Sequence, residues 1–195
     1  MRSARRWWRY LSAPRDCAGA GPPPYKDVLW VEDVTPDQAR MEAAIEPLLR
    51  PGDVVLHVGI GSSRIARRFG DRVARIDGLT VVQRELDVAP AMATYHPRLA
   101  DKFRGLPEGP YDWILDNNPS SFACCRAHFV ALLDGYAARL APGGRVVTEL
   151  RGLAYAERYA FGLSARRFAR LGRARGLAVE WLAPTVPAWR RPTSG

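Results

Sequence analysis

Apolar residues along the chain follow two different periods, and the alternation between them is the first informative feature. Val54–Val58 is a short run of β-type residues, and Leu79–Val82, Tyr111–Asp116 and Arg145–Leu150 are further strand candidates. Between them, apolar positions recur every three or four residues. Met41, Ile45, Leu48 and Leu49 make one such stripe, opened by Thr35 as N-cap with Pro36 in the first turn and closed at Pro51-Gly52. A helical pattern follows Gly59-Ile60-Gly61-Ser62 and continues through Phe69. The strongest stripe runs from Ser121 to Leu140, with Phe122, Phe129, Leu132, Leu133, Tyr136 and Leu140 on one face. Pro90, Pro97, Pro107 and Pro110 break residues 83–110, leaving room for one short helix and one short strand. Ser164 reads as the cap of a helix bearing Phe168 and Leu171 and stopped by Gly176; Leu177–Leu182 and Val186–Arg190 then read as two strands. Strands alternating with helices predict an α/β fold with one open, mostly parallel sheet. Residues 1–34, broken by the Gly/Pro-rich Gly19–Pro24, read as an N-terminal arm, and residues 35–195 as the domain.

Composition adds a charge question. The 195 residues carry a formal net charge of +9, with 29 Lys and Arg against 20 Asp and Glu. Lys26 and Lys102 are the only lysines. The excess sits at the two ends: +4 over residues 1–16 and +6 over residues 164–195, around a nearly neutral middle. Such ends suit an anionic partner, although an arginine-for-lysine bias on solvated faces explains them equally simply. Cys17, Cys124 and Cys125 are too few for a disulfide framework, and the adjacent pair lacks metal-ligand spacing, so no metal is expected. A reducing cytoplasm is the natural compartment. No apolar run is long enough to span a membrane.

The segment Pro51–Ser63 carries the chemistry. A strand that ends in Gly59 and Gly61 before a helix lets a ligand approach the backbone and the positive end of the helix. With Gly52–Val58 ahead of it, Arg72–Val82 after it, Tyr111–Asp116 and the Leu140–Val147 turn-and-strand, the order of motifs resembles the class I S-adenosylmethionine-dependent methyltransferases over roughly residues 36–192. That resemblance implies a Rossmann-like sheet with helices on both faces, an antiparallel last strand, and S-adenosylmethionine as cofactor.

The departures from the family pattern matter as much. His57 stands where the family has an acid near the methionine amino group, and Ser63 stands where it has a third glycine. Thr80 falls at the acid that holds the ribose hydroxyls, with Glu85 as the preferred substitute nearby and Asp77 as another. The resemblance thus assigns cofactor contacts to His57, Gly59, Gly61, Ser62, Thr80, Glu85, Asp101 and Asp116, Asp101 falling near the adenine amino group. Asp116-Asn117-Asn118-Pro119 follows the fourth strand where many members hold an amine acceptor; the motif is incomplete, since Ser120 replaces its aromatic residue. Asp116 and Asn117 are the catalytic candidates and Asn118 a substrate contact, with an Asx turn as the simpler reading. His57, His96 and His128 are further candidate bases, His128 more often structural.

Trp7, Trp8 and Tyr10, among Arg5, Arg6 and Arg9, could cover the pocket and stack on a planar substrate, with Tyr155 and Tyr159 at the same mouth. No large insertion interrupts the motifs, which favours a small-molecule acceptor of the kind tailored in secondary metabolism. A carboxylate would suit Arg9, Arg126 or Arg151. The competing readings are an RNA or DNA methyltransferase with the basic ends as a phosphate-binding rim, and a non-methylating scaffold or rearrangement enzyme. A homodimer contact through the N-terminal tryptophans is a further expectation.

Overall fold

A computed structural model describes residues 15–17, 34–156 and 161–193 of the chain. Trp7, Trp8, Arg9, Tyr10 and Tyr159 lie outside the described residues. The elements in chain order are α1 (Pro36–Ile45), β1 (Val54–Val58), α2 (Arg64–Phe69), β2 (Arg75–Thr80), α3 (Gln83–Asp87), β3 (Tyr95–Leu99), β4 (Tyr111–Asp116), α4 (Arg126–Arg139), β5 (Leu140–Val147), α5 (Leu150–Ala154), α6 (Ala165–Arg173), β6 (Ala178–Ala183) and β7 (Val186–Arg190). They build one seven-stranded sheet in the order β3-β2-β1-β4-β5-β7-β6, in which β7 runs antiparallel to both of its neighbours and the other pairs are parallel.

Period-two alternation on the strands divides the core between the two faces. Leu56 and Ile114 pack with Phe129, Leu132, Leu133 and Tyr136 of α4 and Phe168 of α6. Val55, Ile76 and Trp113 face the other way, onto Met41 and Ile45 of α1 and Ile65 and Phe69 of α2. A fully buried carboxylate, Glu42, ties α1 to α2 by ion pairs to Arg64 (3.0 Å) and Arg68 (2.9 Å). Paired on both sides, this charge is one that a helix interface tolerates.

Local chemistry sets the element ends. Thr35 Oγ1 accepts the Gln38 amide (3.4 Å) and Ser164 Oγ accepts the Arg167 amide (3.3 Å), so both expected caps are in place. Gly176 ends α6 at φ 71°, the left-handed conformation that glycine reaches at no steric cost. Three expected boundaries differ. The helix read from Ser121 begins at Arg126, because Phe122 has φ 63° and Cys125 is the N-cap, its sulfur accepting the His128 amide. The strand read as Arg145–Leu150 spans Leu140–Val147, and Glu149 instead caps α5 by accepting the Arg151 amide at 2.5 Å. The strand read as Leu79–Val82 is Arg75–Thr80, since Thr80 Oγ1 accepts the Val82 amide (3.0 Å) and turns the chain into α3. Pro97 sits within β3, at the sheet edge where proline is tolerated.

The antiparallel hairpin is held to the sheet by Trp189, fully buried, stacked on Phe168 with ring centroids 4.5 Å apart and donating Nε1–H to the Phe168 carbonyl (2.9 Å). Gly172 lets α6 approach it, since a Cβ there would lie 2.5 Å from the rigid indole. Overpacking of this kind costs about 1–3 kcal/mol, against about 0.5–1 kcal/mol gained by replacing a helical glycine with alanine. Gly172→Ala is therefore expected to lose about 1–2 kcal/mol, read as a lower urea midpoint at unchanged slope.

Candidate functional site

The strand order reverses between β1 and β4, so a crevice opens beyond their C-terminal ends, where open parallel sheets bind ligands. On the β1 side the chain leaves the strand through Gly59, at φ 77°, and Gly61, at φ 49°. Gly59 and Ile60 both donate their amides to the Leu79 carbonyl, at 2.8 and 3.2 Å. A Cβ placed on Gly59 would meet nothing within 4 Å, so the space above the turn is open. Ser63, at the position of the missing third glycine, is itself left-handed (φ 57°), and its hydroxyl lies 3.1 Å from Tyr95 Oη. The Ser62 carbonyl accepts the Arg67 guanidinium, which closes the turn from outside.

At the end of β2, Thr80 and Glu85 form one unit. Thr80 Oγ1 donates to Glu85 Oε2 at 2.6 Å, and Glu85 also accepts the Gly61 amide. Burial raises the Glu85 pKa above its ordinary value, while the Thr80 hydroxyl and the Gly61 amide pull it down. Asp77, the other acid considered for this role, accepts Tyr111 Oη at 2.7 Å and lies near Arg75 and Arg98. Asp101, beyond β3, spends Oδ1 on the Phe103 amide (2.9 Å) and faces Arg104 with Oδ2 (3.4 Å).

On the β4 side, Asp116 is buried and richly supplied with donors. Its Oδ2 accepts from Lys102 Nζ (2.9 Å) and Tyr136 Oη (2.6 Å), and its Oδ1 from the Asn118 amide (3.1 Å). Burial and the adjacent Asp116 charge push the Tyr136 pKa far up, so the phenol stays protonated and donates. Lys102 gives a second hydrogen to the Asn118 carbonyl at 2.7 Å. Its three ammonium hydrogens leave one for a ligand. Sequence reasoning missed Lys102; the signal was there, since only two lysines occur in an arginine-rich chain. Asn117 turns aside, donating Nδ2 to Asp37 of α1 (2.5 Å), while its Oδ1 is buried without a hydrogen-bond partner. The Asp116 Oδ1 bond to the Asn118 amide is the expected Asx turn, and the Asn118 carbonyl accepts from the Ser121 amide and hydroxyl (both 3.0 Å) in a β-turn that follows it.

His57 shares the face of β1 that carries Val55, and it is buried with Nδ1 unpartnered. Burial lowers its pKa to about 4, so the imidazole is neutral near pH 7. His96 is exposed on β3, His128 packs beside the three cysteines, and Tyr155 is exposed. A surface cavity of about 340 Å³ lined by Arg175, Leu177, Arg191 and Thr193 lies at the opposite end of the sheet, away from these groups.

No protein-family model matches the sequence, and no curated protein matches it. Solved structures do match. The N-methyltransferase NodS from Bradyrhizobium japonicum aligns with a TM-score of 0.63 at 12% identity, over 79% of this chain and 93% of that one. CalS10 from Micromonospora echinaspora, an amino pentose methyltransferase of calicheamicin biosynthesis solved with S-adenosylmethionine bound, aligns at 0.58 and 15% identity over 78% and 87%. The [4+2]-cyclase SpnF aligns at 0.62 and 15% identity, over 89% of each chain. The fold is that of the class I S-adenosylmethionine-dependent methyltransferases. No helix among the described residues is long and apolar enough to cross a membrane.

His57 yields a test by its protonation. The folded chain keeps it neutral down to about pH 4, whereas the unfolded chain protonates it near 6.5. The stability tied to the neutral form is therefore complete above pH 6.5 and lost as the pH falls towards 4. The loss is expected to reach about 3 kcal/mol. Urea unfolding across this window should give a shallower pH slope for His57→Leu than for the wild type.

Proposed function

We propose that the chain is an S-adenosylmethionine-dependent methyltransferase whose acceptor is a small acidic molecule. The observation that carries this reading is the convergence of an open glycine turn, the Thr80–Glu85 unit and the Lys102–Asp116 pair on one crevice at the switch point. CalS10, by its name an amino pentose methyltransferase, supports the small-molecule class, and NodS, an N-methyltransferase, supports the methyl-transfer reading. SpnF, a cyclase of the same fold, is the reason to test the activity directly.

The residues fit the cofactor. The clear space over Gly59 admits a ligand against the backbone, and Glu85 with Thr80 presents the oxygen acceptors that ribose hydroxyls need. The unpartnered Nδ1 of neutral His57 takes the place of the family's acid on the methionine side. Ser62 belongs to the same turn, and Asp101 completes the adenine side. When bound, S-adenosylmethionine supplies an electrophilic methyl group on a sulfonium.

The chain's own part is mainly positioning, which can supply much of the acceleration of an in-line displacement. Asp116 is the candidate general base, and Lys102 and Tyr136 hold its carboxylate in place. The remaining Lys102 hydrogen favours an acceptor carrying negative charge, a carboxylate or an ionised hydroxyl. An acceptor that arrives ionised needs no base, and Asp116 takes the proton only where the acceptor still carries one. Asn118 flanks the same position, while Asn117, bonded to Asp37 and packed against Gly152, supports the turn that presents it. The arm with Trp7, Trp8 and Tyr10, and Tyr155 and Tyr159 beyond α5, are proposed as the cover over the substrate.

Calorimetry with S-adenosylhomocysteine tests the cofactor site, and saturable binding is the expected result. Gly59→Val places a β-branched residue at a left-handed φ and fills the open space, so it is expected to weaken binding by roughly tenfold or more. No binding by the wild type, or unchanged affinity in the variant, overturns the placement. Release of S-adenosylhomocysteine with a panel of small acids, phenols and amines then tests the acceptor; turnover of amines alone would remove the acidic reading.

A further inference from the structure

Outside the crevice, the fold gathers the chain's only three cysteines and one of its three histidines at a single point. Cys124 and Cys125 precede α4, His128 lies in its first turn, and Cys17 comes from the N-terminal segment 107 residues away from Cys124. The Cys17 sulfur lies 2.8 Å from that of Cys124 and 3.2 Å from that of Cys125, while Cys124 and Cys125 are 3.9 Å apart. His128 Nδ1 is 3.1, 3.3 and 3.2 Å from the sulfurs of Cys17, Cys124 and Cys125. All four donor atoms lie within 4.8 Å of one another. The expectation of no metal rested on linear spacing, and the fold sets that argument aside.

We propose that Cys17, Cys124, Cys125 and His128 form a structural zinc site that fastens the N-terminal segment to the start of α4. The donor set is Cys₃His, one of the standard closed tetrahedral sets for Zn²⁺. Metal–sulfur bonds of about 2.3 Å at tetrahedral angles put sulfurs roughly 3.8 Å apart, so a cation enters with about 1 Å of spreading at the closest pair and less at the others. A polynuclear iron–sulfur core places its thiolates on separate irons, which the 4.8 Å limit does not accommodate. Each coordinating thiol exchanges its S–H bond for an S–Zn bond and gives its proton to solvent, with no change of oxidation state.

The surroundings are built for this. The Cys125 sulfur accepts the His128 amide at 3.4 Å at a helix N-terminus, which favours negative charge on that sulfur. The Arg15 carbonyl accepts the Ala127 amide at 3.0 Å, so the segment carrying Cys17 is already aligned with the first turn of α4. Four protein donors leave no open position for a substrate, which makes the role structural. Chain entropy explains the value of the device: one ion closes a loop of more than a hundred residues across the domain. The proposal is independent of the cofactor reading.

The test is metal content and metal-linked stability of the whole chain. Protein purified without chelator is expected to hold about one zinc per chain by elemental analysis. After chelation under reducing conditions, cobalt(II) alone is expected to bind with the intense visible bands of a tetrahedral thiolate site. Cys17→Ser and His128→Ala are each expected to weaken cobalt binding by more than roughly tenfold, while His96→Ala binds as the wild type does. Zinc is expected to raise the melting temperature of the wild type and not that of Cys17→Ser. Failure of the reduced wild-type chain to take up either ion overturns the site. So does a pale octahedral cobalt spectrum, unchanged affinity in Cys17→Ser, or a Cys17–Cys124 disulfide in the protein as isolated.

Discussion

The carbonyl of Leu79 holds the glycine turn in place. It accepts two amides, from Gly59 and Ile60, and so fixes the height at which β1 hands over to α2. The buried Ile60 side chain then presses on β2, where a Cβ at Gly78 would lie 2.9 Å from Ile60 Cγ2. A side chain at position 78 would lift the turn off the sheet. With the turn seated, the Gly61 amide reaches Glu85, and Glu85 reaches Thr80. A buried carboxylate is thus brought to the end of β2 by a residue five positions later, anchored to the glycine loop itself.

Across the crevice the organising element is α4. Tyr136 on its third turn donates to Asp116, and its N-cap Cys125 lies in the cysteine–histidine cluster. One rigid helix therefore connects the polar group at the switch point with the anchor of the N-terminal segment. The Asn117–Cys124 loop is held at both ends, by Lys102 at Asn118 and by the cluster at Cys124.

Much of this was legible in the sequence because it depends on local rules. The caps at Thr35 and Ser164 and the stop at Gly176 are short-range chemistry, and the motif order carried the sheet. Glu85 beside Thr80 was readable from proximity along the chain. What escaped was set by tertiary contact. Apolar periodicity alone extends α4 back to Phe122, but that residue lies in a left-handed turn and packs on the core without being helical. Lys102 reaches Asp116 only because the β3–β4 connection crosses the strand ends. Cys17 meets Cys124 across a span that no spacing rule addresses.

The two edges of the sheet constrain how copies of the chain can associate. In β3 the amide of Ala100 and the carbonyl of Thr94 point to β2, so by alternation the backbone groups of residues 95, 97 and 99 point outward. Pro97 is one of these, and the outer edge lacks a donor at its centre. At the other edge, β6 carries Glu180 paired with Arg145, an ionic flank to the exposed Trp181. A continuous intermolecular sheet through β3 would have to forgo a central hydrogen bond. The proline thus makes the β3 edge, beside the strand ends that frame the crevice, a poor template for a further strand.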